Sequence, residues 1–128
     1  MTPEAKVKAR VKKVLDKHGV YYFLPATGGY GRAGVPDIIC CFDGLFVGLE
    51  IKSGNNKPTA LQEREMQRIC EAGGNAYLIN EEEVDKLDEW ITLCRRNKEN
   101  THRVIKNLNK LRKKMEVFRA ETDNDGRC

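Results

Sequence analysis

The sequence predicts an α/β fold in which a mixed β-sheet is flanked by helices. Three observations carry this. An opening segment repeats apolar residues at helical spacing, two apolar runs are joined by Asp43-Gly44, and the segments alternate as helix, three strands, helix, strand, helix, helix. At 128 residues the chain is long enough for one real core and too short for two.

The first helix is read over "PEAKVKARVKKVLDKHG", with Pro3 at its start and Gly19 as its stop. Val7, Val11, Val14 and Leu15 form one apolar stripe against a lysine-rich face. "VYYFLP", Val20 to Pro25, is rich in β-formers and reads as a strand. "ATGGYGRAGV" holds four glycines in ten residues and reads as a loop able to approach another molecule closely. "PDIICCF" and "LFVGLEIKS" are the two strands of a hairpin. Thr59 followed by Gln62 predicts a capping box for the helix "TALQEREMQRICEAG". "NAYLI" is a short strand, and Asn80 caps a third helix ending "CRR". Trp90 falls on that helix's apolar face with Leu87 and Leu93, a core or interface position. The last helix spaces Val104, Leu108, Leu111, Met115 and Phe118 in a heptad-like seam, and the residues after it read as a frayed tail.

Charge divides the chain unevenly. Residues 1–93 carry 12 basic against 14 acidic side chains, a net −2; residues 94–128 carry 11 against 5, a net +6. The expected organisation is a domain over 1–93 followed by a basic helical extension over 94–128. That extension packs on the domain, joins a second subunit or contacts nucleic acid. No apolar run approaches the ~20 residues that span a bilayer, and the N-terminus lacks a signal-peptide core, so a cytoplasmic location is expected. The five cysteines have no metal-site spacing and are expected to be buried, reduced thiols. His18 and His102 fit no nucleophile or metal pattern and are expected at the surface.

One stretch resists a purely structural reading. "GVPDIICCFDGLFVGLEIKSG" places Asp37, Glu50 and Lys52 on its apolar strands, and burying a charge without a partner is expensive. Glu50 and Lys52 share a face while Ile51 points into the core. With Asp37 beside them, two carboxylates and an ammonium converge where the sheet meets solvent. Carboxylates with a backbone carbonyl suit Mg²⁺, which can polarise a phosphodiester and acidify a bound water. Lysine there can orient that water. The competing reading is an ion pair between Glu50 and Lys52.

"VPD" at 35–37, the thirteen-residue step to Glu50, and "EIK" at 50–52 resemble the PD-(D/E)XK nuclease signature. "GRAGVPDII", "GLEIKSGNNKPTALQ" and "CEAGGNAYLI" narrow the resemblance to the virus-type replication-repair nuclease (VRR-NUC) branch, over roughly residues 3–80. The resemblance implies a restriction-endonuclease-like αβββαβ core and a Mg²⁺- or Mn²⁺-dependent DNA endonuclease. It implies that Asp37, Glu50 and the Ile51 carbonyl hold metal, that Lys52 is the catalytic lysine, and that Gln62 supports the site. The competing reading of Gln62 is an ordinary polar residue on a helix flank. Glu4 matches a first-helix glutamate of many relatives, or is simply a first-turn acid favoured by the helix dipole.

For the nucleic acid, Arg32 is placed for a phosphate, Tyr30 for stacking and Lys57 for the backbone. Lys110, Arg112, Lys113 and Lys114 face water or phosphate from the last helix. Stand-alone members of this family are similar to Holliday-junction resolvases, so a homodimer acting on branched DNA is implied, without membrane or small-molecule cofactor. Compact size suggests a bacterial or phage-infected cell. Two other classes remain open: a nuclease-like scaffold that binds without cutting, and a transcriptional or structural dimer driven by the C-terminal helix.

Overall fold

The computed structural model describes residues 1–26 and 31–122; within the last helix, the side chains at 99–102, 104, 118, 121 and 122 lie outside that description. Helix α1 (Pro3–Lys17) opens on Thr2, whose hydroxyl accepts the Ala5 N–H at 3.1 Å. It buries Val7, Val11 and Leu15, with Val14 at the margin, so the stripe expected from spacing is the buried one. The remaining elements are β1 (Tyr21–Phe23), β2 (Ile38–Phe42), β3 (Leu45–Ile51), α2 (Ala60–Glu71), β4 (Asn75–Ile79), α3 (Glu83–Arg96) and α4 (Lys98–Thr122).

The four strands form one mixed sheet in the order β1-β2-β3-β4. β1, β2 and β3 pair antiparallel, and β3 pairs parallel with β4 through the α2 crossover. Between β2 and β3, Asp43 (φ 46°) and Gly44 (φ 86°) both take the left-handed conformation that a tight two-residue hairpin needs. α2 begins with the expected capping box: Thr59 Oγ1 accepts the Gln62 N–H, and the Thr59 N–H donates to Gln62 Oε1. α3 is capped by Asn80 Oδ1, which accepts the N–H groups of Glu82 and Glu83.

Alternation along the strands sorts the side chains. Ile38, Cys40, Phe42, Val47, Leu49 and Ile51 are buried, and together with Val7, Val11, Leu15, Ile79, Val84 and Leu87 they make the core. The opposite face of β3 meets α2, where Ile69 approaches Gly48. β1 is shorter than its apolar run because it is an edge strand held only by β2.

Two expectations need correction. Cys41 and Cys70 are exposed and Cys94 is half-buried, so only Cys40 is a buried thiol among the described cysteines. Burial, then the neighbouring Cys41, pushes the Cys40 pKa up to about 11. His18 is not a surface residue: its ring nitrogen Nε2 lies 2.6 Å from Asp88 Oδ1, with Lys17 on the same carboxylate. His102 lies outside the described side chains.

The chain divides into two compact units, Met1–Glu89, which contains the whole sheet, and Trp90–Cys128. Among the described residues no helix is long and apolar enough to cross a membrane. On α4, Leu108, Leu111 and Met115 of the expected seam are exposed, whereas Val104 and Phe118 lie outside the described side chains.

Candidate active site

The hairpin register brings the two acids together. Ile38 pairs with Leu49, and continuing that antiparallel register by one residue sets Asp37 opposite Glu50. Asp37 Oδ2 accepts the Ile51 N–H at 2.8 Å, a hydrogen bond that a strand carbonyl would otherwise take. On an extended strand a residue's N–H and C=O lie to the same side, so the Ile51 carbonyl also faces the Asp37 side of β3. The segment ahead of Asp37 is fixed by packing. Pro36 is fully buried over Gly48, where a Cβ would come within 2.8 Å of Pro36 Cγ. Gly34 (φ 78°) lies against the backbone of Leu61, which ties the preceding loop to the first turn of α2.

Glu50 is not at the solvent boundary, as its place near a strand end suggested. It is 1% exposed, because α2 covers this face of β3. Burial, then the nearby Asp37 carboxylate, pushes its pKa up to about 7, with Lys52 acting in the opposite direction. Lys52 Nζ lies 3.7 Å from Glu50 Oε1, an ion pair too long for a strong hydrogen bond. The second oxygen, Oε2, is buried with no hydrogen-bond partner among the described residues. Such an orphaned carboxylate oxygen is costly unless a cation or donor meets it.

α1 brings two further charges to this end of the sheet. Lys8 Nζ lies 3.6 Å from Asp37 Oδ1. Glu4, one turn earlier on the same face, adds the smallest contribution to the upward shift at Glu50. Glu4 and Lys8 line a cleft of about 430 Å³ with Thr2 and Ser53. Among the described residues no three His, Cys, Asp or Glu side chains gather on one metal position. Protein ligation there would therefore rest on Asp37, Glu50 and main-chain oxygen, which suits a hard divalent ion that keeps several waters.

The other expected residues are placed less uniformly. Gln62 sits at the third position of α2 with its side-chain carbonyl on the Thr59 N–H, so it serves first as a cap. Arg32 turns to α2, donating from Nε to Glu65 Oε1 at 2.9 Å, rather than standing isolated beside Asp37. Lys57, Lys110, Lys113 and Lys114 are exposed. Tyr30 lies outside the described residues.

Several contributors were not read from the sequence. Lys8 looks like one lysine among many on a solvated face, and only its spacing of four from Glu4 marks it. Glu65 is buried on α2 and accepts from Arg32, with Arg68 Nη1 at 3.7 Å. The loop after Lys52 is held by Glu81, whose carboxylate accepts the Gly54 N–H at 2.8 Å, while Arg10 of α1 donates to the Glu81 carbonyl. That Gly54 N–H holds the Glu81 carboxyl below its ordinary value. These partners lie 27 to 71 residues apart in sequence, beyond any local pattern.

No family model matches the chain, and no curated protein matches it. A solved structure named as a VRR-NUC domain superposes with a TM-score of 0.62 at 29% identity, covering 70% of this chain and 97% of that one. The sheet order, the hairpin that faces Asp37 with Glu50, and this likeness over nearly the whole of that domain agree with a restriction-endonuclease-like fold. In fold and over most of its length the chain is similar to a VRR-NUC domain.

Proposed function

We propose that the chain is a divalent-metal-dependent endonuclease that hydrolyses DNA phosphodiester bonds, selective for branched DNA such as four-way junctions and acting as a homodimer. The observation that carries the reading is the buried Glu50 carboxylate, with one oxygen lacking a partner, directly across the register from Asp37. Asp37, Glu50 and the Ile51 carbonyl would hold Mg²⁺ or Mn²⁺, with Glu4 as a further acid at the edge. A bound ion supplies Lewis acidity to the phosphodiester and acidifies a coordinated water.

The chain's own residues do the rest. The Ile51 N–H fixes the plane of the Asp37 carboxylate, leaving Oδ1 toward Lys8. Lys52, with only 14% of its side chain exposed, holds an ammonium beside Glu50, where it can orient a water and offset charge developing on the phosphate. Gln62 supports the site from the start of α2, and Lys57, Lys110, Lys113 and Lys114 take DNA backbone.

The test is incubation with labelled junction, flap and linear DNA, with Mg²⁺ or with EDTA. Products are expected only with Mg²⁺ and most from branched substrates. Asp37→Ala, Glu50→Ala and Lys52→Ala are expected to lower cleavage by at least a hundredfold while retaining junction binding. Wild-type cleavage by Lys52→Ala overturns the mechanism. One observation favours a scaffold that binds without cutting: each acid already faces an ammonium, Asp37 with Lys8 and Glu50 with Lys52. That reading requires equal binding in both buffers and no products in either.

A further inference from the structure

On the α2-facing side of the sheet lies a groove of about 510 Å³ that the proposed chemistry does not use. Its polar wall is Arg32, Glu65 and Arg68, and its floor is Phe46 with the bare backbone of Gly73 and Gly74. The volume is within the ~300–1,000 Å³ typical of small-ligand sites and accommodates a nucleotide.

The two arginines are held, not merely exposed. Glu65 has 11% of its side chain exposed and accepts Arg32 Nε at 2.9 Å, with Arg68 Nη1 at 3.7 Å. Arg32 engages its partner through Nε, so its terminal nitrogens can meet a further acceptor in the bidentate fashion that suits phosphate. Arg32 and Arg68 remain about half exposed, at 54% and 53%. Two guanidinium groups against one carboxylate leave the wall positively charged. Phe46 is 50% exposed and rests on Gly74, where a Cβ would come within 3.1 Å of its ring. A cationic wall beside a supported aromatic ring is the combination that holds a single strand, phosphate on one and base on the other.

We propose that this groove binds single-stranded DNA, seating phosphates on Arg32 and Arg68 and a base on Phe46. In its relation to cleavage the proposal rests on the nuclease reading, and it narrows the substrate to branched DNA with an unpaired arm. Phe46 and Glu50 share a face of β3 four residues apart, a span of ~13 Å at ~3.3 Å per residue.

The experiment is fluorescence anisotropy of a labelled twelve-residue oligothymidylate with the full chain in EDTA, across a salt series. Arg68→Ala and Phe46→Ala are each expected to weaken binding about tenfold. Arg68→Ala is expected to reduce the slope of log affinity against log salt by about 0.7, and Phe46→Ala to leave it unchanged. Arg32→Ala strands the Glu65 carboxylate, so the paired change Arg32→Ala with Glu65→Leu is the second variant, with the same loss expected. Wild-type affinity in Arg68→Ala and Phe46→Ala overturns the groove even if the chain cleaves DNA. Their loss of single-strand binding in a chain that cuts nothing supports the groove and sinks the nuclease reading instead.

Discussion

At the scale of residues, Glu50 is where burial and charge conflict most. Its pKa stands at about 7 against an ordinary 4.5, raised by burial and by Asp37. A carboxyl raised on folding contributes its full stability below the unfolded value and loses it as pH climbs through the folded one. In EDTA, stability is therefore expected to fall between about pH 4.5 and pH 7 by on the order of 3 kcal/mol. Urea denaturation across that range should show the decline in the wild type and a flatter profile in Glu50→Gln. Mg²⁺ should restore stability at pH 8 to the wild type and not to Glu50→Gln, through binding to the folded state alone. A wild-type profile as flat as that of Glu50→Gln would remove the argument from orphaned charge. The identities of Asp37, Glu50 and Lys52 were legible because strand alternation and hairpin spacing are local. The burial of Glu50 was not, because α2 supplies the cover from beyond the strand. Lys8 on Asp37 and Glu65 on Arg32 were equally hidden, since each pairing is made by the fold.

At the scale of elements, β3 is the part on which both the site and the groove depend. Gly48 lets Pro36 and Ile69 close onto the strand, with a Cβ there falling 2.8 Å from Pro36 Cγ and 3.1 Å from Ile69 Cδ1. Gly48→Ala must push Pro36 outward, and Asp37 follows its neighbour. The expected result is a loss of about 1–3 kcal/mol in stability, as for other overpacked cores. Cleavage should fall further than the folded fraction does, measured at a temperature where circular dichroism shows both proteins folded. If activity tracks the folded fraction alone, Pro36 does not set the position of Asp37. The elements themselves were largely readable, because their signals are short-range: Asp43-Gly44 for the hairpin, Thr59 with Gln62 for the start of α2, Asn80 for α3. Gln62 shows the limit of such signals. The same residue satisfied a capping pattern and a site pattern, and the hydrogen bond to Thr59 is the one the fold makes.

At the scale of the whole molecule, charge is segregated along the chain. The sheet-bearing unit, Met1–Glu89, holds the acids of the candidate site, whereas the excess of positive charge lies in the C-terminal residues. Lys110, Lys113 and Lys114 are exposed on α4, as are the apolar Leu108, Leu111 and Met115. A basic surface and an apolar seam on one helix make different demands on a partner, and salt separates them. Each lysine that neutralises a duplex phosphate adds about 0.9 to the slope of log affinity against log salt. Replacing Lys110, Lys113 and Lys114 together with glutamine should therefore lower that slope by up to ~2.7 for duplex or junction DNA. Because these lysines lie outside the acid–acid–lysine set, junction cleavage at saturating protein and low salt should persist in the triple variant. An unchanged slope would show that the lysines do not touch phosphate. The exposed seam of α4 would then be its working face, and sedimentation of Leu111→Asp would decide whether that face joins two copies of the chain.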